Sequence, residues 1–187
     1  MGQGEPFVNY DATLSALRRL NSPKGAGIGA RHLTVSTCGI IPSIRRFSNE
    51  PEQFTLAVSL HSAVQKTRNA LMPGVRKFSL LHLYEVMGEY VDKTGRRPTY
   101  EYALISGVND TEEELASLCD FCRGNLAHVN IIQLNNVKGS PFKPSSQARA
   151  EAFVRRLGSV GVEATIRESR GADIDAACGQ LKQAFSK

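Results

Sequence analysis

Phe54-Thr55-Leu56-Ala57-Val58-Ser59-Leu60-His61 opens apolar and β-branched and then hands over to a serine and a histidine. A short apolar run ending in small polar groups reads as a buried strand, here Phe54–Ser59, that delivers side chains to a site at its carboxyl end. Working outward, the same pattern recurs at His32–Ser36, Thr99–Ile105, Val129–Leu134 and Val162–Arg167. Stretches of helical period separate these runs: Ala12–Leu20, Ile41–Phe47, Leu80–Lys93, Glu112–Cys122 and Gln147–Leu157, with Ile174–Phe185 after the last. Strands alternating with amphipathic helices define an α/β chain with a parallel sheet. Either an open doubly wound sheet or a barrel satisfies the pattern, and both gather functional groups at the carboxyl ends of the strands.

Local signals agree with this division. Thr111 with Glu114 three residues on predicts a capping box, Gly95 a helix stop, and Pro42 a first helical turn. The stretch Asn136–Ser146, rich in Gly, Pro, Ser and Lys, reads as a surface loop near a site.

A chain of 187 residues is long enough for one sizeable core without disulfides or metal, so a single domain over residues 1–187 is expected. A hydrophobic fraction of 41% and a charged fraction of 22% suit a soluble globular protein, and no apolar stretch approaches the length of a membrane span. The net charge of +5 and a pI near 9.2 favour a polyanionic partner without requiring one. Four cysteines show no regular framework and the start of the sequence carries no basic then apolar signal pattern, so a reducing cytoplasm is the expectation. Gly2-Gln3-Gly4-Glu5-Pro6 follows Met1 directly, so the chain is expected to begin in mid-fold.

Several residues admit two readings. Ser36-Thr37-Cys38, Ser59-Leu60-His61, Ser106-Gly107-Val108-Asn109-Asp110 and Asn135-Asn136 each follow a strand, and their polar groups either cap the next helix or line a cavity. Glu5 is either an exposed glutamate in a glycine turn or a carboxylate for an ammonium group. Cys119 and Cys122 have metal-type spacing but lie within a helical pattern, which reads as one core cysteine with an exposed neighbour and no metal. Of the four histidines only His61 follows a strand directly, where it could donate a hydrogen bond to a ligand. The pairs Arg18-Arg19, Arg45-Arg46, Arg96-Arg97 and Arg155-Arg156 read as solvated faces, whereas Lys138, Lys143, Arg167 and Arg170 flank the suspected site or the segment leading to Cys178 and are the better candidates for contacts to a polyanion. Cys178 lies near the start of the last helix, whose terminus lowers a thiol pKa while Asp173 and Asp175 raise it, so its reactivity stays open.

Taken in order, Gly2-Gln3-Gly4-Glu5-Pro6 with Asn9-Tyr10, Ala30-Arg31-His32-Leu33-Thr34-Val35-Ser36-Thr37 with Gly39, Ser59-Leu60-His61, Leu71-Met72-Pro73, Lys93-Thr94-Gly95-Arg96-Arg97, Gly107-Val108-Asn109-Asp110, His128-Val129-Asn130 and Asp173-Ile174-Asp175-Ala176-Ala177-Cys178-Gly179-Gln180-Leu181 resemble one family. It is the radical S-adenosylmethionine methyltransferases that act on adenine carbon 2 of 23S ribosomal RNA and tRNA. A sister branch acts on adenine carbon 8 and shares these motifs. The likeness runs from Gly2 to Leu181, with Gln3, Val75 and Asn136 standing where the family commonly has Met, Asn and Pro.

The resemblance implies a partial (β/α) barrel of which this chain supplies the later strands, with residues 171–187 carrying the methyl-carrier segment. It implies that Gly4, Glu5, Ser36, Ser59, Leu60, His61 and Asn135 hold S-adenosylmethionine. Cys178 would be the catalytic residue, accepting a methyl group by displacement and then losing a hydrogen atom to a deoxyadenosyl radical. That radical requires a 4Fe-4S cluster on a Cys-x3-Cys-x2-Cys loop and an external electron donor, and this sequence contains no such spacing. The family's resolving cysteine also precedes the matched region. The chain alone is therefore expected to be inactive, as a piece of a longer enzyme or as a cluster-less derivative that binds RNA or S-adenosylmethionine without catalysis.

Overall fold

The structure is a computed structural model describing residues 4–134 and 140–167; Asn135, Asn136, Lys138, Arg170, the helix expected at 174–185 and Cys178 lie outside the described residues. Five strands form one sheet in the order β1-β2-β3-β4-β5, every neighbouring pair parallel. They are β1 Thr34–Thr37, β2 Thr55–Ser59, β3 Thr99–Leu104, β4 His128–Gln133 and β5 Glu163–Arg167. The helices are α1 Tyr10–Asn21, α2 Ile41–Phe47, α3 Gln65–Leu71, α4 Leu80–Thr94, α5 Glu112–Cys122 and α6 Gln147–Ser159. All five expected strands form, but β1 starts later than the sequence suggests because Ala30–His32 winds into a 3-10 turn.

A strand order that never reverses decides between the two architectures left open. Right-handed crossovers then put every connecting helix on the same side of the sheet, as in a barrel wall; a doubly wound sheet would have to reverse. The register bears this out. Val35, Leu56, Val58, Tyr100, Tyr102, Leu104, Val129 and Ile131 share one face and are buried in a single core with Ile44, Phe47, Leu83, Met87, Leu118, Phe153 and Leu157 from the helices. The opposite face carries Ser36, Ser59, Thr99, Glu101, His128, Asn130, Thr165 and Arg167. The chain thus forms the wall of a partial (β/α) barrel, apolar toward its helices and polar within.

The helix-end signals hold, with one change. Gly95 ends α4 with φ of 62°, a backbone that glycine adopts without strain, and Pro42 sits in the first turn of α2. Thr111 caps α5 by accepting from the Glu114 N–H, but the Glu114 carboxylate does not return the bond. It turns inward instead, where Oε2 accepts from Ser62 Oγ at 2.7 Å and Tyr102 OH at 3.2 Å. A buried hydroxyl pair outbids one exposed backbone donor. Helix α3 is not legible in the sequence: Gln65-Lys66-Thr67-Arg68-Asn69-Ala70-Leu71 has no apolar period, and the side chain it buries is that of Arg68.

Candidate active site at the carboxyl ends of β1 and β2

The segment Gly4–Asn9 lies against the end of β1, and its glutamate makes the join. Glu5 is not the exposed turn residue of the simpler reading. Its Oε1 accepts from the Phe7 N–H at 2.9 Å, capping the 3-10 turn Pro6–Asn9, and from Thr37 Oγ1 at 2.7 Å. Its Oε2 accepts from the Cys38 N–H at 2.6 Å. A carboxylate offers about four acceptor positions. Counted over the described residues, three are taken and one is left for a further donor. Gly4 has φ of 109°, and among the described residues no atom stands within 4 Å of where a side chain would begin, so these leave its backbone open to an approaching ligand.

The turn after β2 is the second half of the site. His61 has φ of 55°, the single positive φ at a non-glycine residue among the described residues. Three bonds over-determine that conformation. The Leu60 and His61 N–H groups both donate to the Glu101 carbonyl, at 3.0 and 3.2 Å, and Asn109 Nδ2 donates to the His61 carbonyl at 2.6 Å. The Ala103 N–H donates to His61 Nδ1 at 3.0 Å. An accepting Nδ1 leaves the proton on Nε2, so the ring presents Nε2–H as a donor. Burial, aided by the nearby Arg68 charge, pulls the His61 pKa down to about 4, so the neutral imidazole is the form present at physiological pH. Strain held this firmly is characteristic of functional turns.

Structure assigns the polar groups after the strands to neither of the two expected roles alone. Helices α2 and α3 take no side-chain cap, which frees Ser36, Thr37, Ser59 and His61 from capping. Ser36 and Ser59 are half-buried on the polar face. Leu60 is fully buried in the core, so its side chain is closed to a ligand. Asn109, fully buried, is a scaffold: its Oδ1 accepts from the Ile105 N–H at 2.6 Å and its Nδ2 donates to the Ala103 carbonyl at 2.7 Å as well as to His61. The described end of the long loop is less exposed than its composition suggests, since Ser145 is buried and donates to Asp110 Oδ2 at 2.6 Å.

The described cysteines do not suit a metal cluster. Cys119 and Cys122 are both buried in the core, against the expectation of one exposed partner, and burial pushes the Cys122 thiol up to about 12. Burial and the Glu5 carboxylate push the Cys38 thiol up to about 12 likewise. Among the described residues no cluster of His, Cys, Asp and Glu could hold a metal, and no helix is long and apolar enough to cross a membrane. Most of the paired arginines are spent on acidic neighbours: Arg18 on Glu50 and Glu52, Arg45 on Glu89, Arg46 on Asp11, Arg97 on Glu163 and Arg155 on Glu151. Arg167 is paired as well, its Nη1 3.8 Å from the buried Glu101, but it stands on the polar face.

No family profile matches the chain. Individual relatives do. It is 45% identical over 187 residues to a probable dual-specificity RNA methyltransferase RlmN of Clostridium perfringens, covering 100% of this chain and 54% of that protein. The protein of the same name from Moorella thermoacetica is 50% identical over 182 residues, 97% of this chain and 51% of that one. The chain spans about half the length of the curated relatives it matches. A radical SAM methyltransferase from Sphaerobacter thermophilus superposes with a TM-score of 0.93 at 46% identity over 96% of this chain and 53% of that one. A domain of a pyruvate-formate lyase-activating enzyme from Bacteroides vulgatus, at 15% identity and a TM-score of 0.66, shares the fold alone. Along its whole length, and in its sequential parallel sheet, the chain is similar to the radical SAM RNA methyltransferases named RlmN, about half of whose length it spans.

Proposed function

We propose that this chain is the cofactor-holding and methyl-carrying part of an RNA methyltransferase that modifies adenine carbon 2 in 23S ribosomal RNA and tRNA. The observation that carries the reading is the pairing, at one rim, of a carboxylate with spare acceptor capacity on Glu5 and a fixed neutral Nε2–H donor on His61. S-adenosylmethionine needs both, an anion for its α-ammonium group and neutral donors and acceptors for its ribose and adenine. Glu5 takes the ammonium, the open backbone at Gly4 lets the ligand close on it, and Ser36, Ser59, the Leu60 carbonyl and His61 line the floor. Asn135, after β4, completes the set, and Cys178 carries the methyl group.

A 4Fe-4S cluster, when bound, would supply one-electron reducing chemistry toward S-adenosylmethionine, with an external donor as its source. Cys38, Cys119 and Cys122 do not fit as its ligands, so these come from the part of the relatives' length that this chain does not span. Arg167, half-exposed beside the site, and the basic residues Lys138, Lys143 and Arg170 receive the RNA.

The test uses a protein of the relatives' full length that carries this chain, with its cluster assembled. Mass spectrometry of 23S ribosomal RNA and tRNA should show 2-methyladenosine, and Cys178→Ala should abolish it while leaving the iron content unchanged. Normal methylation by Cys178→Ala would sink the assignment. Appearance of 8-methyladenosine would move the chain to the sister branch, and S-adenosylmethionine binding without any methylation would favour a non-catalytic derivative.

A further inference from the structure

Arg68 is 1% exposed, the largest side chain buried this completely, and it makes no ion pair with any described carboxylate. Guanidinium stays protonated in proteins, so its burial without a counter-ion calls for a compensating arrangement. Nε finds no acceptor among the described residues, and Nη2 donates to the Cys38 carbonyl at 2.8 Å. That carbonyl shares its peptide with the Gly39 N–H, which donates to Thr37 Oγ1 at 3.2 Å. Thr37 Oγ1 in turn donates to Glu5 Oε1 at 2.7 Å.

Every link therefore donates in one direction, from the guanidinium through a peptide and a buried hydroxyl to the carboxylate. A cation at the head and an anion at the tail polarise each bond of such a chain, and low local dielectric strengthens it. Gly39 is what lets the head close. With φ of 98°, it would place a Cβ 3.1 Å from Arg68 Nη2, so any larger residue would press on the guanidinium.

We propose that Arg68 is a positioning residue of the cofactor site: through the Cys38–Gly39 peptide and Thr37 it fixes the Glu5 carboxylate so that its spare acceptor position faces the α-ammonium group of S-adenosylmethionine. This rests on the cofactor reading above and adds to it a residue that does not touch the ligand. The arrangement makes a selective demand. Losing the Arg68 charge weakens only ligands that carry the amino-acid end, because the nucleoside end does not meet Glu5.

Binding of S-adenosylmethionine and of 5′-methylthioadenosine, which lacks the amino-acid end, separates the outcomes when measured by calorimetry on the full-length, cluster-loaded protein. Arg68→Met should weaken S-adenosylmethionine on the order of tenfold and leave methylthioadenosine within about twofold. Thr37→Val, which removes the buried hydroxyl at nearly constant shape, should give the same selective loss and carries the comparison if Arg68→Met does not fold. Equal weakening of both ligands would reduce Arg68 to a structural role and overturn the proposal, as would unchanged S-adenosylmethionine affinity. Failure of the unaltered protein to bind S-adenosylmethionine would instead overturn the cofactor reading, and this inference with it.

Discussion

The two faces of the sheet are built from alternate residues of the same strands, yet they are governed by different physics. Toward the helices, Tyr100, Tyr102, Val129 and Ile131 are fully buried and touch one another across strands. Toward the barrel interior, Glu101, His128, Asn130 and Thr165 are tied by directional bonds: Asn130 Nδ2 donates to Glu101 Oε1 at 3.1 Å, and Thr165 Oγ1 donates to Asn130 Oδ1 at 2.8 Å. The apolar face supplies stability through area removed from water, which tolerates little loss of volume. The polar face supplies position. The difference teaches that stability and function are separable here by residue parity along a strand.

The sharpest way to break that separation is to excavate the apolar face. Phe153 is fully buried, with its ring centroid 5.9 Å from that of Tyr102, and Phe153→Ala should destabilise the chain by about 3–5 kcal/mol in chemical denaturation. A loss under about 1 kcal/mol would mean the helix layer does not carry the fold.

Asn109 joins the two faces at the rim. Removing its three bonds leaves the buried Ile105 N–H without an acceptor and releases the His61 carbonyl, so Asn109→Ala should cost about 3 kcal/mol. Proteolysis within residues 105–110 should accelerate if that turn opens.

Acid tests the site itself. His61 titrates near its ordinary value of 6.5 when unfolded and at about 4 when folded, so between those values the unfolded chain binds the extra proton. Its stabilising contribution is therefore complete above about pH 6.5 and is lost as pH falls to about 4, by about 2–3 kcal/mol. Denaturation midpoints across that window should show the loss in the unaltered chain and much less of it in His61→Asn, whose new residue tolerates the positive φ. An identical profile in both would place the acid sensitivity elsewhere.

The smallest stability effects belong to the polar face. Ser36→Ala and Ser59→Ala remove half-buried hydroxyls that make no hydrogen bond to another described residue, and each should change stability by less than about 1 kcal/mol. Weakened S-adenosylmethionine binding with stability intact would sharpen the division between the faces; a large stability loss would blur it.

Much of this molecule was legible before any fold was known. Phe54–Ser59 and its four counterparts announce strands because an apolar run bounded by polar residues is a local property, and Gly95 and Thr111 mark helix ends through bonds that span only a few residues. What the sequence by itself determined was therefore the five strands, five of the six described α-helices, their parallel arrangement and, through ordered motifs, the likeness to one family. Tertiary structure alone decided that the strand order never reverses, that Glu114 abandons its cap for Tyr102, and that Arg68 reaches Glu5 through Cys38, Gly39 and Thr37. The reason is one of range. Glu5 and Cys38 stand 33 residues apart and Asn109 and His61 stand 48, and no periodicity records a hydrogen bond between groups that only folding brings together.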